Sequence, residues 1–163
     1  MNISERSRWI ATGALIAALY VVLTLTFAPI SFGPVQMRIS EALAIMPFFT
    51  SAAVPGLFIG CIIANMLGGG IAVDVIFGSI ATLIGAWAGR KLKHNRRLVP
   101  VPTVISNTLI VPFVLRYGYG IADIPLPLMM LYIAIGEVLG CYVLGELLGM
   151  ALLSRKSEFF KPR

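Results

Sequence analysis

The stretch ISEALAIMPFFTSAAVPGLFIGCIIANML, Ile39 to Leu67, decides the fold. It is too long for one membrane span, which takes about 20 apolar residues, and too short for two spans of full length. Pro47 and Pro55 fall inside it, with Thr50-Ser51 between them. Proline has no amide proton and clashes with the turn before it, so it begins or ends a helix more readily than it continues one. The stretch therefore predicts two short helices, approximately 38–50 and 54–67, with a tight turn near Thr50 to Val54. Gly68-Gly69-Gly70 ends the second.

Apolar runs continue on both sides. Before the stretch lies one from Trp9 to Ala28; after it come runs over about 71–89, 100–116 and 126–153. Arg6 and Arg8 precede the first run as in a signal peptide, but the later runs are equally apolar, so it reads as a span. The expectation is an all-α membrane protein: one integral domain over 1–163, a bundle of six transmembrane helices. Composition agrees. Hydrophobic residues make up 58% of the chain and charged residues 12%, against roughly a half and a quarter in soluble domains.

The net charge of +6 does not point to nucleic acid, because the basic residues gather in loops between apolar runs. Arg6, Arg8, Arg90, Lys91, Lys93, Arg96, Arg97, Arg155, Lys156, Lys161 and Arg163 share one side of a six-span topology, which is eleven of the 13 basic residues. By the positive-inside rule that side is the cytoplasm, so both termini are expected there, with Trp9 and Trp87 as interfacial anchors. Cys61 and Cys141 lie inside apolar runs without a metal-binding pattern and read as small core residues. His94 sits in a basic loop. No metal or cofactor is expected.

A charged group at the centre of a span costs about 2.5–3.5 kcal/mol on insertion scales. Polar residues that carry such a cost are functional candidates. Arg38 and Glu41, at i, i+3 spacing, share a face at the outer end of helix two. Asn65 ends helix three, Asp74 begins helix four, and Arg116 ends helix five. Asn107 and Glu137 lie near mid-depth, and Glu146 lies toward the cytoplasmic side. The bias toward one half predicts a polar pocket open to the outside. Each residue also has a structural reading: an Arg38–Glu41 pair at the interface, an N-cap for Asp74, interhelical bonding for Asn65 and Asn107, snorkelling for Arg116. Phe32 and Tyr117, on the loops after helices one and five, bring rings to the pocket mouth. On helix one, Ala11, Gly13, Ala14, Ala17 and Ala18 form a smooth patch, in which Ala14 and Ala18 are a small-xxx-small pair suited to internal packing or to docking another membrane protein.

No nucleotide-binding P-loop, zinc motif, nucleophile elbow or kinase pattern occurs, so an enzyme is not expected. Uphill transport would draw its energy from a partner or an ion gradient.

Three strings resemble the signature regions of the QueT family: Ala28 to Leu43, Pro55 to Cys61 with Ala64-Asn65, and Asp74 to Ser79. The resemblance runs from helix one to helix six and fades in the basic loop and tail. It implies the substrate-binding S-component of an energy-coupling factor (ECF) transporter in the bacterial cell membrane. Its implied substrate is a queuosine precursor, a 7-deazaguanine base or queuine. Its implied partners are a transmembrane coupling protein, contacted at the patch matched by Ala14 and Ala18, and two ATPase subunits. A deazaguanine edge presents an N–H beside an amino group, which a carboxylate such as Glu137 or Glu41 accepts together. Asn65 or Asn107 suits its carbonyl, and Asp74 suits an aminomethyl cation. The rival readings are an S-component for another vitamin (riboflavin- or thiamine-like), a small secondary transporter with Glu137 as proton site, and a membrane-embedded enzyme.

Overall fold

The computed structural model describes residues 2–32 and 37–154. Gly33 to Gln36 of the first loop, and Arg155, Lys156, Lys161 and Arg163 of the tail, lie outside them. Among the described residues every regular element is helical. The order is α1 (Ile3–Thr26), α2 (Ala28–Ser31), a 3₁₀ segment (Ile39–Ile45) leading into α3 (Met46–Phe49), α4 (Ala53–Leu67), α5 (Ala72–Lys91), a 3₁₀ turn (Arg96–Leu98), α6 (Val101–Phe113) running into a π-helical segment (Val114–Gly118), and α7 (Leu126–Glu137) running through a second π segment (Val138–Leu144) into α8 (Gly145–Ser154).

Four of these continuous helices, Ile3–Thr26, Ala72–Lys91, Arg96–Gly118 and Leu126–Ser154, are long and apolar enough to cross a membrane. Ile39–Phe49 and Ala53–Leu67 are shorter apolar helices. Leu15, Val22, Ile59, Ile76, Ile105, Leu109, Leu131 and Leu147 point outward, while Arg38, Glu41, Asn65, Asp74 and Glu137 are buried. Apolar surface outside and charge inside is the arrangement a bilayer stabilises and water does not.

The first helix begins at Ile3, ahead of its apolar run, because Asn2 caps it. The Asn2 side chain accepts from the Glu5 amide, and the Glu5 side chain accepts from the Asn2 amide. The stretch from Ile39 is mostly 3₁₀. At about 2.0 Å per residue, seven residues cover ~14 Å, where an α-helix would cover ~10 Å. Pro47 lies in the first turn of α3, where no amide proton is needed. The connecting turn is held by the Ala52 amide donating to Thr50 Oγ1 at 3.2 Å.

Helix α1 packs along α4, α4 on α5, α5 on α6 and α6 on α7, and the Ile39–Ile45 segment sits against the Val138–Leu144 segment. The α1–α4 contact is backbone-close. A Cβ at Gly56 would stand 2.6 Å from the Gly13 carbonyl oxygen, and one at Gly60 would stand 2.9 Å from Tyr20 Cβ. The small-residue patch is thus divided between two faces. Gly13 and Ala17 are buried, while Ala14 and Ala18 stay exposed and line an apolar groove of about 570 Å³ with Trp9, Pro55, Ile59 and Ile63.

The bundle has two chemically distinct ends. At the basic end, Arg90 donates to the carbonyls of Pro47 (2.8 Å) and Phe48 (3.3 Å), and Trp9 Nε1 donates to Ser51 Oγ (3.0 Å). At the opposite end Gly69 and Gly120 take positive φ, +80° and +73°, in the turns before α5 and α7. Gly60→Val should lower stability by about 1–3 kcal/mol through overpacking. Ala18→Val, on the groove wall, should leave it within about 0.5 kcal/mol. Thermal unfolding in detergent distinguishes the two.

Candidate functional site

Arg38 occupies the junction between the first loop and the 3₁₀ segment. Its Nε donates to the Ser31 carbonyl at 3.4 Å, its guanidinium stands 3.9 Å from Asp74 Oδ2, and the Phe32 ring lies 5.5 Å from Cζ. Phe32 packs over Gly68, where no side chain stands in its way. Arg38 NH1 also stands 4.0 Å from Cys61 Sγ on α4, so the first loop, α4 and α5 converge on one cation that is 4% exposed.

Asp74 ties that cation to the far loop. Tyr119 Oη donates to Asp74 Oδ2 at 3.0 Å and accepts from the Ile71 amide at 3.3 Å. Burial, together with the neighbouring Asp74 carboxylate, holds the Tyr119 phenol above its ordinary pKa, so it remains a donor at neutral pH. Asn65 Nδ2 donates to the Asp74 carbonyl (3.4 Å) and to Cys61 Sγ (3.6 Å), which also accepts from Thr82 Oγ1 (3.4 Å). Gly78 leaves open the space beside these groups: a Cβ there would stand 2.9 Å from Asp74 Oδ1 and 3.3 Å from Asn65 Nδ2. Asp74 Oδ1, Asn65 Oδ1, Ser79 Oγ and Arg38 NH2 are buried without a hydrogen-bond partner among the described residues. Such groups cost free energy until a partner arrives.

The second half of the cluster is acidic. Tyr20 Oη, on α1, donates to Glu41 Oε1 at 2.6 Å. Cys141 Sγ donates to Glu137 Oε2 at 3.1 Å and lies 3.9 Å from Glu41 Oε2. Asn107 faces Glu137 from α6. The π segment after Glu137 brings Gly140 against the first loop's end, where a Cβ would stand 2.9 Å from the Arg38 carbonyl oxygen. Residues four apart on this helix, Glu137 and Cys141, therefore both meet Glu41. The two carboxyls and the thiol lie within 4.8 Å of one another, a spacing that would suit a metal ion, and Tyr20 and Cys141 donate hydrogen bonds to two of the four carboxylate oxygens.

Of the residues singled out from the sequence, the structure brings together Arg38, Glu41, Asn65, Asp74, Asn107, Glu137 and Phe32. Tyr117 does not join them. It is 77% exposed and stacks on Phe113 at 6.3 Å. The ring that reaches the cluster is Tyr119, because the π segment through Gly118 turns position 117 outward. Arg116 binds the carbonyls of Ala122 (3.1 Å) and Ile124 (3.0 Å), bracing that loop, and Glu146 pairs with Arg96. Tyr20, Cys61 and Cys141 are members that sequence reasoning missed, while Tyr119 stands on the loop after helix five from which an aromatic ring is expected. The four-residue spacings Cys61–Asn65 and Glu137–Cys141 were the available signal.

A family profile described as QueT transporter matches residues 10–154. A stretch of 77 residues is 46% identical to the Queuosine precursor transporter QueT of Lactococcus lactis subsp. cremoris (strain MG1363). That stretch is 46% of this chain and 45% of the relative, so the match spans less than half of the curated relative. No solved structure matches.

Tyr119→Phe removes the donor to Asp74 and should cost about 1 kcal/mol of stability, whereas Tyr117→Phe should cost nothing measurable. Thermal melts of the two variants beside the parent decide whether Tyr119 holds the loops together.

Proposed function

The chain belongs to the QueT transporter family, and from that premise we propose that it is the substrate-binding subunit of an ECF-type importer for a queuosine precursor. The observation that carries the reading is the buried polar cluster, in which Arg38, Glu41, Asn65, Asp74, Asn107 and Glu137 come from five separate segments of a chain whose outer surface is apolar. Ionisable groups inside a membrane bundle are expensive, and a ligand that fills their open valences returns that cost. Three carboxyls and a single guanidinium favour a ligand rich in N–H donors. A 7-deazaguanine base or queuine presents an N–H and an amino group to Glu137 or Glu41, and a carbonyl to Asn65 or Asn107. The relative's name, a queuosine precursor transporter, supports this substrate class.

In this reading all six helical segments cross the bilayer, the two short ones included, as one integral domain. The basic end faces the cytoplasm with both termini, in the plasma membrane of a bacterium. The clasp of Phe32, Arg38, Asp74 and Tyr119 then closes the outer mouth. A chain without a nucleotide-binding loop takes its energy from partners, a transmembrane coupling protein and two ATPase subunits. The groove lined by Ala14 and Ala18 is smooth enough for a partner helix to approach closely.

One observation favours a second reading. Glu41 and Glu137 both lie against the Cys141 thiol, two carboxyls held close together as in a proton-binding site. In that case the chain alone would accumulate substrate when a pH gradient is imposed on proteoliposomes, whereas an importer subunit needs the coupling proteins and ATP.

Calorimetry of the purified chain against deazaguanine precursors, queuine, guanine, riboflavin and thiamine tests the substrate class. Selective binding of a deazaguanine is expected, and a signal for riboflavin or thiamine alone would overturn it. Glu137→Gln should weaken binding by about 10- to 100-fold, the worth of one charge-assisted hydrogen bond in a dry site. Tyr117→Phe should bind as the parent does.

A further inference from the structure

We propose that the cleft between the Arg96–Leu98 turn and the last helix binds the phosphate headgroup of an anionic phospholipid. The cleft, of about 440 Å³, is lined by Arg96, Arg97, Tyr142, Glu146, Leu147 and Met150. It lies at the basic end, apart from the polar cluster.

Its two arginines are not equivalent. Arg96 is engaged: its NH2 stands 2.7 Å from Glu146 Oε2, and its side chain crosses the helix at Gly149, where a Cβ would stand 3.5 Å from Cδ. Arg97 is exposed, and its side chain has no hydrogen bond or ion pair among the described residues. Its backbone is nevertheless fixed, because the Arg97 amide donates to Asn95 Oδ1 at 3.2 Å in the cap of the turn. Two guanidiniums against one carboxylate leave the cleft with a charge of +1.

The other wall is apolar. Val143, Leu147 and Met150 follow at four- and three-residue spacing, and all three are about half exposed, continuous with the lipid-facing surface. Headgroup level is marked nearby by Trp87, an exposed ring with Lys91 Nζ 3.7 Å from its centroid. A phosphate on Arg97 with its chains along Leu147 and Met150 satisfies both walls. A soluble phosphate would leave the apolar wall wet, and a zwitterionic lipid would leave the charge of the cleft unmatched. The neighbouring cations are less suited. Arg90 is committed to the carbonyls of Pro47 and Phe48, and Lys91 to Trp87. Basic residues near an anionic leaflet attract it, and a cleft adds position to that attraction.

The test is native mass spectrometry of the full-length chain released from detergent, with phosphatidylglycerol, phosphatidylcholine or glycerol 3-phosphate added. One phosphatidylglycerol should remain bound where phosphatidylcholine does not. Arg97→Gln should reduce its occupancy about tenfold, and Lys93→Gln should leave it unchanged. Equal retention of the two lipids, undiminished retention by Arg97→Gln, or an equal loss in Lys93→Gln would overturn the site in favour of a diffuse basic ring. Displacement of the lipid by equimolar glycerol 3-phosphate would overturn the part given to the apolar wall. Unchanged melting of Arg97→Gln in lipid-free detergent separates lost binding from lost fold.

Discussion

The buried guanidinium of Arg38 is the interaction on which the architecture turns. A cation inside a bundle with a lipid-facing exterior has no water to fall back on, so the chain must surround it. It does so with the Ser31 carbonyl, the Phe32 face, Cys61 and Asp74, drawn from the first loop and from two helices. Its own carbonyl receives the close approach of Gly140 on the last helix. Asp74, once committed to Arg38, positions Tyr119 and with it the loop before α7. Loops distant in sequence are therefore coupled through one charge. Its removal would leave Asp74 buried and unpaired, which is the costlier half of breaking such a pair.

Irregular helices make this gathering possible. A 3₁₀ run of seven residues is long for its kind. It extends the short second segment and buries six consecutive residues, Ser40 to Ile45, where a regular amphipathic helix would bury one stripe. The π segments follow Pro112 and Glu137; the first leads into Tyr119, which reaches Asp74, and the second sets Gly140 against the Arg38 carbonyl. Proline at 112 deletes a backbone donor, and a wider helical turn accommodates the gap. The 3₁₀ run from Ile39 and both π segments lie beside functional candidates, as expected where local regularity is given up for a site.

Much of this was legible in the sequence because a bilayer imposes simple rules. Apolar length marks the four long helices, proline and glycine punctuate the two short ones, and a charge within an apolar run announces itself. What was hidden needs relative rotation and depth, which one-dimensional spacing does not carry. Tyr20 looks like any aromatic in an apolar span until the 3₁₀ segment aims Glu41 at it. Cys61 and Cys141 read as small core residues; they are buried, but among polar groups to which they lend a soft acceptor and a weak donor. Tyr117 and Tyr119 differ by two residues, and only the π turn through Gly118 decides which ring faces inward. Arg116 has the reach to snorkel, yet its guanidinium donates to the Ala122 and Ile124 carbonyls and braces its own loop.

Both thiols of this chain lie within the buried cluster, Cys61 in the half with Arg38 and Asp74, Cys141 in the half with Glu41 and Glu137. A thiol packed this way reacts with an alkylating reagent only while the surrounding helices are parted. The native molecule thus carries a clock on each side of its interior, with no cysteine elsewhere to obscure the reading. The two alkylation rates would report how often each half opens, and whether they open together.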